Sequence, residues 1–494
     1  MRAFRKFYDE RPLLVIMIVA IALRLLAAVF AKGYGMHDDH FGPIEQPYEI
    51  MRDPSIWENR GNPHGHSIVY PLAHYVIFSA LESVGIADPQ AKMYVVRVVH
   101  AFYSLLIVLF GYLIALRISG KEAARLTGWL LAAFWILPFM SVRNLIEMVT
   151  IPPLMAGFYV ALRDDKSRSR WLLAGALFAL SWVFRYQTMI IPAVLFFILG
   201  FRRQFREMGL LATGFFAAAV LVQGAADIFA WGYPFASFYT YFFYNAGHSG
   251  DYTTGPFYQY LLLIIGLLIP PTSFMLLYGF GRVWRRHLDI WLPVVAFFVF
   301  HSIFPNKQER FILPVIPLII MLSAVGWTEF TREREIGKNW RAAFRSAWRW
   351  FWAVNIVLLA IFTFTYSKKT RVEPLYLLSQ KHDVAAVAIV PGEVGWFFIP
   401  EYYLNKNVPV YNLTGSGDAA DLAAQLAESG RKMPNYFIFY GMRDVEGRVD
   451  EFEREMNIDL VEVKKISPSL IDDILYMLNP EHNVNQTARI YRVK

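Results

Sequence analysis

Between positions 37 and 45 the chain places His37, Asp38, Asp39, His40 and Glu45, shortly after an apolar run that ends near residue 31. Carboxylates in such a loop could serve as a general base or hold a metal ion. A second set of ionisable groups sits at the ends of other apolar runs. It comprises Arg143 and Glu147 in VRNLIEM, Arg185 in FRYQT, Asp227 near the end of its run, and His301, Lys307, Glu309 and Arg310 in HSIFPNKQERFILPVIP. Lysine and arginine suit a phosphate. Taken singly, each charge could snorkel to a membrane interface. Together, from six segments on one side, they point to a shared cavity, because charge near membrane depth is costly and usually functional. A cavity reached from lipid suits a substrate with an apolar tail and a phosphate head. A carboxylate would deprotonate an acceptor hydroxyl while cations stabilise a leaving phosphate. A metal site at His37, Asp38, Asp39 and His40 is disfavoured, because the four are consecutive in a loop and lack helical ligand spacing.

The elements that must position these groups are membrane spans. Of the 494 residues 56% are hydrophobic and 18% charged, against roughly a quarter charged in a soluble domain, and long apolar stretches recur. The class is therefore a polytopic membrane protein. The net charge of +8 does not signal nucleic acid, because the basic residues lie in short clusters between apolar segments, where orientation signals belong. The chain has no cysteine, which excludes disulfides, a thiol nucleophile and a Cys-ligated metal. The N-terminal apolar run, interrupted by Arg24, reads as an uncleaved first span rather than a signal peptide.

Eleven spans are expected, near 13–31, 94–117, 124–141, 146–162, 171–186, 188–201, 208–230, 257–280, 288–304, 311–329 and 349–367. Their connections alternate. RAFRK, RISGKEAAR, RDDKSRSR, FRRQFR, RVWRRH and the loop at 331–348 are basic and belong in the cytoplasm. The acidic loop 32–66, SVRN, RYQ, the aromatic loop 232–256, FPNKQERF and everything after residue 366 belong outside. Segment 67–87 is apolar, but a crossing there would invert every later loop, so 67–93 is expected to lie on the surface or re-enter. After residue 368 the composition becomes mixed, with strand-like runs (VAAVAIV, GWFFI, PVYNL, NYFIFYG, DLVEVKKI, ARIYRVK) and helix-like ones (ADLAAQLAESG, VDEFEREMN). The expected architecture is mainly α: a membrane helical bundle over 1–367 and a small periplasmic or lumenal α/β domain over 368–494.

These stretches resemble the GT-C glycosyltransferases, and most closely glycosyltransferase family 22, the lumenal mannosyltransferases of N-glycan and GPI-anchor assembly that use dolichyl-phosphate-mannose. That family places a His-Pro-Asp-Glu-aromatic motif directly after its first span, and this chain has His37-Asp38-Asp39-His40-Phe41. Trp57-Glu58-Asn59-Arg60 and Tyr70-Pro71 are similar to its Trp-Glu pair and following Arg and Tyr/Phe-Pro. Asn144 to Glu147 is similar to its Asn-x-x-Glu, and Arg185-Tyr186-Gln187-Thr188 to its Arg-x-Thr region. Lys307 to Pro317 resembles its Lys-Glu-Glu-Arg-Phe-x-x-Pro-x-x-Pro. The resemblance covers about residues 13–330. His40, Asn306 and Gln308 depart from the pattern, where the family has an acid, a His and a Glu.

The resemblance implies an inverting sugar transfer in which Asp39 is the catalytic base, with Asp38 the alternative. Arg310, in the best-matched motif, is the foremost candidate for the donor phosphate, followed by Lys307, Arg185 and Arg143; the competing role for Arg310 is to pair with Glu309 or Glu147. His37, His40, Glu45, Trp57, Glu58, Arg60, Glu147, Asp227 and Glu309 are expected at the substrates. No cofactor is expected. The partners implied are a polyprenyl-phosphate-sugar donor, most simply mannose-bearing, a lipid-linked glycan or similar acceptor, and membrane lipids. A lipid or glycolipid flippase is the alternative, although the chain shows no two-half symmetry. Short loops and the lack of cysteine point to a bacterial or archaeal plasma membrane, with the site on its outer face.

Overall fold

The computed structural model describes residues 2–55, 63, 65–163, 167–248, 250–251, 253–393, 398–413, 418–429, 432–441, 443–478, 480, 483 and 485–494. They form two compact units. The first comprises 1–28, 59–73 and 97–363, and the second 29–58, 74–96 and 364–494.

The first unit is helical. Among the described residues five helices are long and apolar enough to cross a bilayer: Pro12–Phe30, Pro89–Ser119 (whose first turns belong to the second unit), Phe205–Trp231, Glu309–Glu333 and Lys338–Thr363. Ile146–Ala161, Ser169–Phe184, Tyr186–Phe201 and Leu288–Ile303 are apolar but shorter than the roughly 20 residues a lone span needs. The run at 257–280 is not one straight helix. It is two helices, Gln259–Leu267 and Thr272–Arg282, bent by 117°. The break falls at Pro270 and Pro271, which lack the N–H that would continue the ladder. Trp135 and Trp350 donate their indole N–H groups to the carbonyls of Leu267 and Pro270 beside the break, at 3.1 and 2.9 Å.

Two helices form the centre of this unit. Ile146–Ala161 and Ile316–Glu333 are buried along most of their length. Close helix packing is achieved with glycine: a Cβ on Gly326 would lie 2.0 Å from the Gly279 carbonyl oxygen, and one on Gly214 would lie 1.9 Å from that of Leu172. Small residues at such crossings let backbones approach where no hydrophobic effect drives association. Arg24, the polar interruption of the first long helix, is satisfied internally. It donates to Ser104 Oγ at 3.0 Å and to the carbonyls of Leu131 and Ala132 at 3.2 Å each.

The second unit is built on a five-stranded mixed sheet. Its strands are β3 (Val387–Val390), β4 (Val410–Asn412), β5 (Tyr436–Tyr440), β6 (Leu460–Ile466) and β7 (Ala488–Val493), in the spatial order β4-β3-β5-β7-β6. Strand β3 runs parallel to β4 and β5, and β7 antiparallel to β5 and β6. A two-residue parallel pair, β1 (Lys32–Gly33) with β2 (Tyr366–Ser367), lies apart from it. The strand-like run GWFFI falls largely outside the described residues. Strand β5 reads YFIFY because both its faces are covered. Phe437 and Phe439 pack with Val445, Val449 and Phe452 from helix Val445–Met456. On the other face Tyr436, Ile438 and Tyr440 share a core with Leu375 of helix Lys369–Ser379 and with Ile44, Tyr48, Phe78, Tyr402 and Tyr403. That core joins residues 29–58 and 74–96 to the sheet, so the acidic loop is part of this unit.

Candidate active site

In the first unit the central buried helices carry the charged residues at their N-terminal ends. Glu147 lies in the first turn of Ile146–Ala161 and is fully buried. Arg185 follows the C-terminus of helix Ser169–Phe184, and its Nη1 is 2.9 Å from Glu147 Oε1. Arg310 is the second residue of the 3-10 turn Glu309–Val315 that leads into Ile316–Glu333, and its Nε is 3.8 Å from the same oxygen. The structure therefore gathers Glu147, Arg185 and Arg310 from three segments. Phe311 carries the Arg185 guanidinium against its ring, 4.6 Å from the centroid. Gln308 accepts from Arg310 Nε at 2.9 Å, and its main chain is fixed by the hydroxyl of buried Tyr260. The arrangement is cationic, largely shielded from water, and sits where helix N-termini favour an anion.

The other residues proposed for this region occupy distinct places. Arg143, also buried, lies over the Phe139 ring at 4.4 Å. The Lys307 ammonium donates to the carbonyls of His301 at 2.7 Å, Ser302 at 2.8 Å and Phe304. It closes the C-terminal end of helix Leu288–Ile303, where carbonyls lack helical partners. His301 uses Nδ1 on the Phe297 carbonyl at 2.9 Å. Asp227 accepts the N–H and O–H of Ser237, at 3.1 and 2.7 Å, and so ties the C-terminal end of helix Phe205–Trp231 to helix Ala236–Gly247. Glu309 is exposed. Trp57, Glu58 and Arg60 lie outside the described residues.

The acidic segment belongs to the second unit. It runs as a short helical turn, Asp38–His40, a π-helical turn, Phe41–Glu45, and the helix Gln46–Arg52. Asp39 is buried, whereas Asp38 and His37 are exposed. Glu45 is buried, and its two oxygens accept the main-chain N–H of Tyr402 at 3.0 and 2.9 Å. His40 Nε2 lies 3.0 Å from Glu45 Oε1. The His40 ring is stacked on Tyr34 at 4.7 Å and on Tyr403 at 5.4 Å. Burial lowers the His40 pKa to about 3 and raises that of Glu45 to about 8 against the opposing effects of the Tyr402 N–H and Arg52. The pair is thus a hydrogen bond between a neutral imidazole and a carboxyl group rather than an ion pair. Glu49 is raised to about 7 by burial and by its neighbours Glu45 and Glu401. Among the described residues no group of three His, Asp or Glu side chains is placed to hold a metal ion.

Sequence reasoning picked out the charged residues and missed their partners. Phe311, Gln308 and Tyr260 frame the two arginines, and Tyr402 and Tyr403 frame Glu45 and His40. Gln308 and Phe311 carried a signal, since both lie in the motif at 307–317, Gln308 as a departure from it and Phe311 as a match.

A family model for Alg9-like mannosyltransferases matches residues 15–387. Among known relatives, a GPI mannosyltransferase 3 of Yarrowia lipolytica is 22% identical over 416 residues, 81% of this chain and 76% of that protein. A GPI alpha-1,2-mannosyltransferase 3 of Danio rerio is 22% identical over 314 residues, 62% of this chain; the match spans 58% of that relative's length. Among solved structures, ArnT from Cupriavidus metallidurans bound to undecaprenyl phosphate superposes with a TM-score of 0.61 at 13% identity, covering 97% of each chain. The Archaeoglobus fulgidus oligosaccharyltransferase tethered with an acceptor peptide gives 0.54 at 12% identity, over 88% of this chain and 69% of that one. At these identities the structural likeness establishes the fold, and function rests on the site.

Proposed function

The chain belongs to the Alg9-like mannosyltransferase family, and from that premise we propose that it transfers a sugar, mannose, from a polyprenyl-phosphate donor to a hydroxyl of a lipid-linked glycan or similar acceptor. Two arginines gathered on a buried glutamate, at the ends of two buried helices, carry this reading. A planar guanidinium matches the oxygens of a phosphate and keeps its charge when shielded from water.

In the reaction the acceptor hydroxyl loses its proton to Asp39 as its oxygen bonds to the anomeric carbon. The bond from that carbon to the phosphate oxygen breaks, and its electron pair leaves with the phosphate. Arg310 and Arg185 stabilise the developing charge. One displacement inverts the anomeric centre. Arg143 supports the cationic character of the region, and Lys307 fixes the turn that presents Arg310. Asp38, one residue away and exposed, is the alternative base. The eleven apolar runs are read as eleven crossings, with the N-terminus and loop 331–348 cytoplasmic and residues 368–494 on the far side, in a prokaryotic plasma membrane.

The deciding assay offers the purified protein in nanodiscs a panel of undecaprenyl- and dolichyl-phosphate-linked mannose, glucose and arabinose, with host glycolipid extract as acceptor. Release of mannose into a new glycosidic bond is expected. Transfer of a different sugar overturns the donor assignment. Movement of lipid between leaflets with no new glycosidic bond overturns the transferase reading in favour of a flippase. External protease that leaves residues 368–494 intact in spheroplasts overturns the topology.

A further inference from the structure

The segment that carries Asp38 and Asp39 is contacted on several sides by one stretch of the C-terminal part of the chain, residues 398–403. Glu45 accepts the Tyr402 N–H through both oxygens, and Tyr402 sits in the short 3-10 turn Glu401–Tyr403. His40 bonds to Glu45 and stacks nearly parallel on Tyr403, with 6° between the ring planes. His37 and Phe41 pack on Phe398, their ring centroids 4.4 and 5.6 Å away. The side chains at 37, 40, 41 and 45 thus all bear on 398–403, and Asp38 and Asp39 ride between them. Apolar packing alone would hold the two stretches together at lower cost, since burying a carboxyl group is unfavourable. What the buried carboxyl adds is direction, because a hydrogen bond weakens steeply as its angle departs from linear.

We propose that residues 398–404 position the catalytic turn, and that Glu45 and His40 act as positioning residues, clasping the Asp38–Asp39 segment to the Tyr402 main chain. The proposal rests on the reading of Asp39 as the base. It assigns the C-terminal part of the chain a share in turnover and withdraws Glu45 from direct contact with substrate. A reacting group displaced by about 1 Å costs on the order of 10²-fold in rate, so a loosened clasp is expected to lower kcat and to leave donor binding alone.

The test uses the full chain in nanodiscs, with Glu45→Ala, Glu45→Gln and Phe398→Ala. Turnover, donor KM and deuterium uptake of the peptides covering 36–46 and 398–404 are measured for each. Glu45→Ala is expected to lower kcat about 10²-fold with donor KM unchanged and faster uptake in both peptides. Glu45→Gln, whose amide oxygen still accepts the Tyr402 N–H and whose amide N–H can still donate to His40, is expected to recover most of the loss. Phe398→Ala, at a half-exposed ring, is expected to be intermediate. Faster uptake in Glu45→Ala with full turnover overturns the positioning role. Unchanged uptake in both peptides overturns the clasp itself. Should Glu45→Ala fail to fold, full turnover in both other variants overturns the proposal. Asp39→Asn, assayed alongside, separates the two readings. Full turnover there overturns the base assignment, whereas its loss together with full turnover in Glu45→Ala overturns only the positioning.

Discussion

Replacing Glu147 by glutamine keeps the shape of a buried side chain and removes the one negative charge between two guanidiniums. Glu147 Oε1 lies 2.9 Å from Arg185 Nη1 and 3.8 Å from Arg310 Nε. At an effective dielectric constant of ~20, each attraction is worth about 4–6 kcal/mol. The cost of taking three charged groups out of water offsets much of this, and removing one partner of a buried pair typically destabilises by about 3–5 kcal/mol. Glu147→Gln should therefore melt well below wild type when unfolding in detergent is followed by tryptophan fluorescence, for which the chain offers 14 tryptophans. If Arg185 and Arg310 hold the donor's phosphate, polyprenyl phosphate supplies the missing anion. A ligand present at about 100 times its Kd stabilises by about 2.7 kcal/mol. The variant should consequently regain much of its lost stability when undecaprenyl phosphate is added, and gain more from it than wild type does. A variant that melts with wild type refutes the energetic importance of the cluster. A destabilised variant that ignores undecaprenyl phosphate refutes its role in binding the donor.

Asp39→Asn should lower turnover by about 10²–10⁴-fold while equilibrium binding of the labelled donor is unchanged; Asp38→Asn should be milder, and the reverse order would move the base by one residue. Arg310→Ala should weaken donor binding, with Arg310→Lys only partly rescuing it because an ammonium cannot make the bidentate contact; normal donor affinity in a folded Arg310→Ala protein would leave Arg310 as a structural partner of Glu147. The Glu45 carboxyl group, whose neighbours are Glu49, Glu401, Arg52 and neutral His40, is held at about 8 against its ordinary 4.5. A group whose pKa is raised in the folded state contributes stability that is fully present below the ordinary value and is lost as pH rises through the folded one. Deuterium uptake at 400–404, corrected for intrinsic exchange, should therefore increase between about pH 4.5 and about 8 in wild type and level off above, and Glu45→Gln should lose that dependence. Gly326→Ala should destabilise the protein by about 1–3 kcal/mol or more, the usual cost of overpacking, since its Cβ would meet the Gly279 carbonyl; an unchanged melting temperature would show that the two helices separate freely.

The parts of this protein that could be read from its sequence are those where composition conflicts with surroundings. Arg143, Glu147, Arg185 and Arg310 were conspicuous because each stands against apolar sequence, and a charge there demands a reason. Glu147 was one of the two partners open to Arg310, but its pairing with Arg185 was not legible, because the two stand on different helices and meet only through packing. Hydropathy found the run at 257–280 but averaged over its bend, although Pro270 and Pro271 marked the place. The contact that holds the acidic segment left no mark at all. Glu45 binds an N–H 357 positions away, and that N–H belongs to the main chain, which every residue except proline supplies. A side chain recognised by another side chain restricts two residue types, and a search of the sequence can find both. A side chain recognised by the main chain restricts one, so Glu45 looked like a free carboxylate beside Asp39. Only the tertiary structure distinguishes a carboxylate available to a substrate from one already committed to holding its neighbour in place.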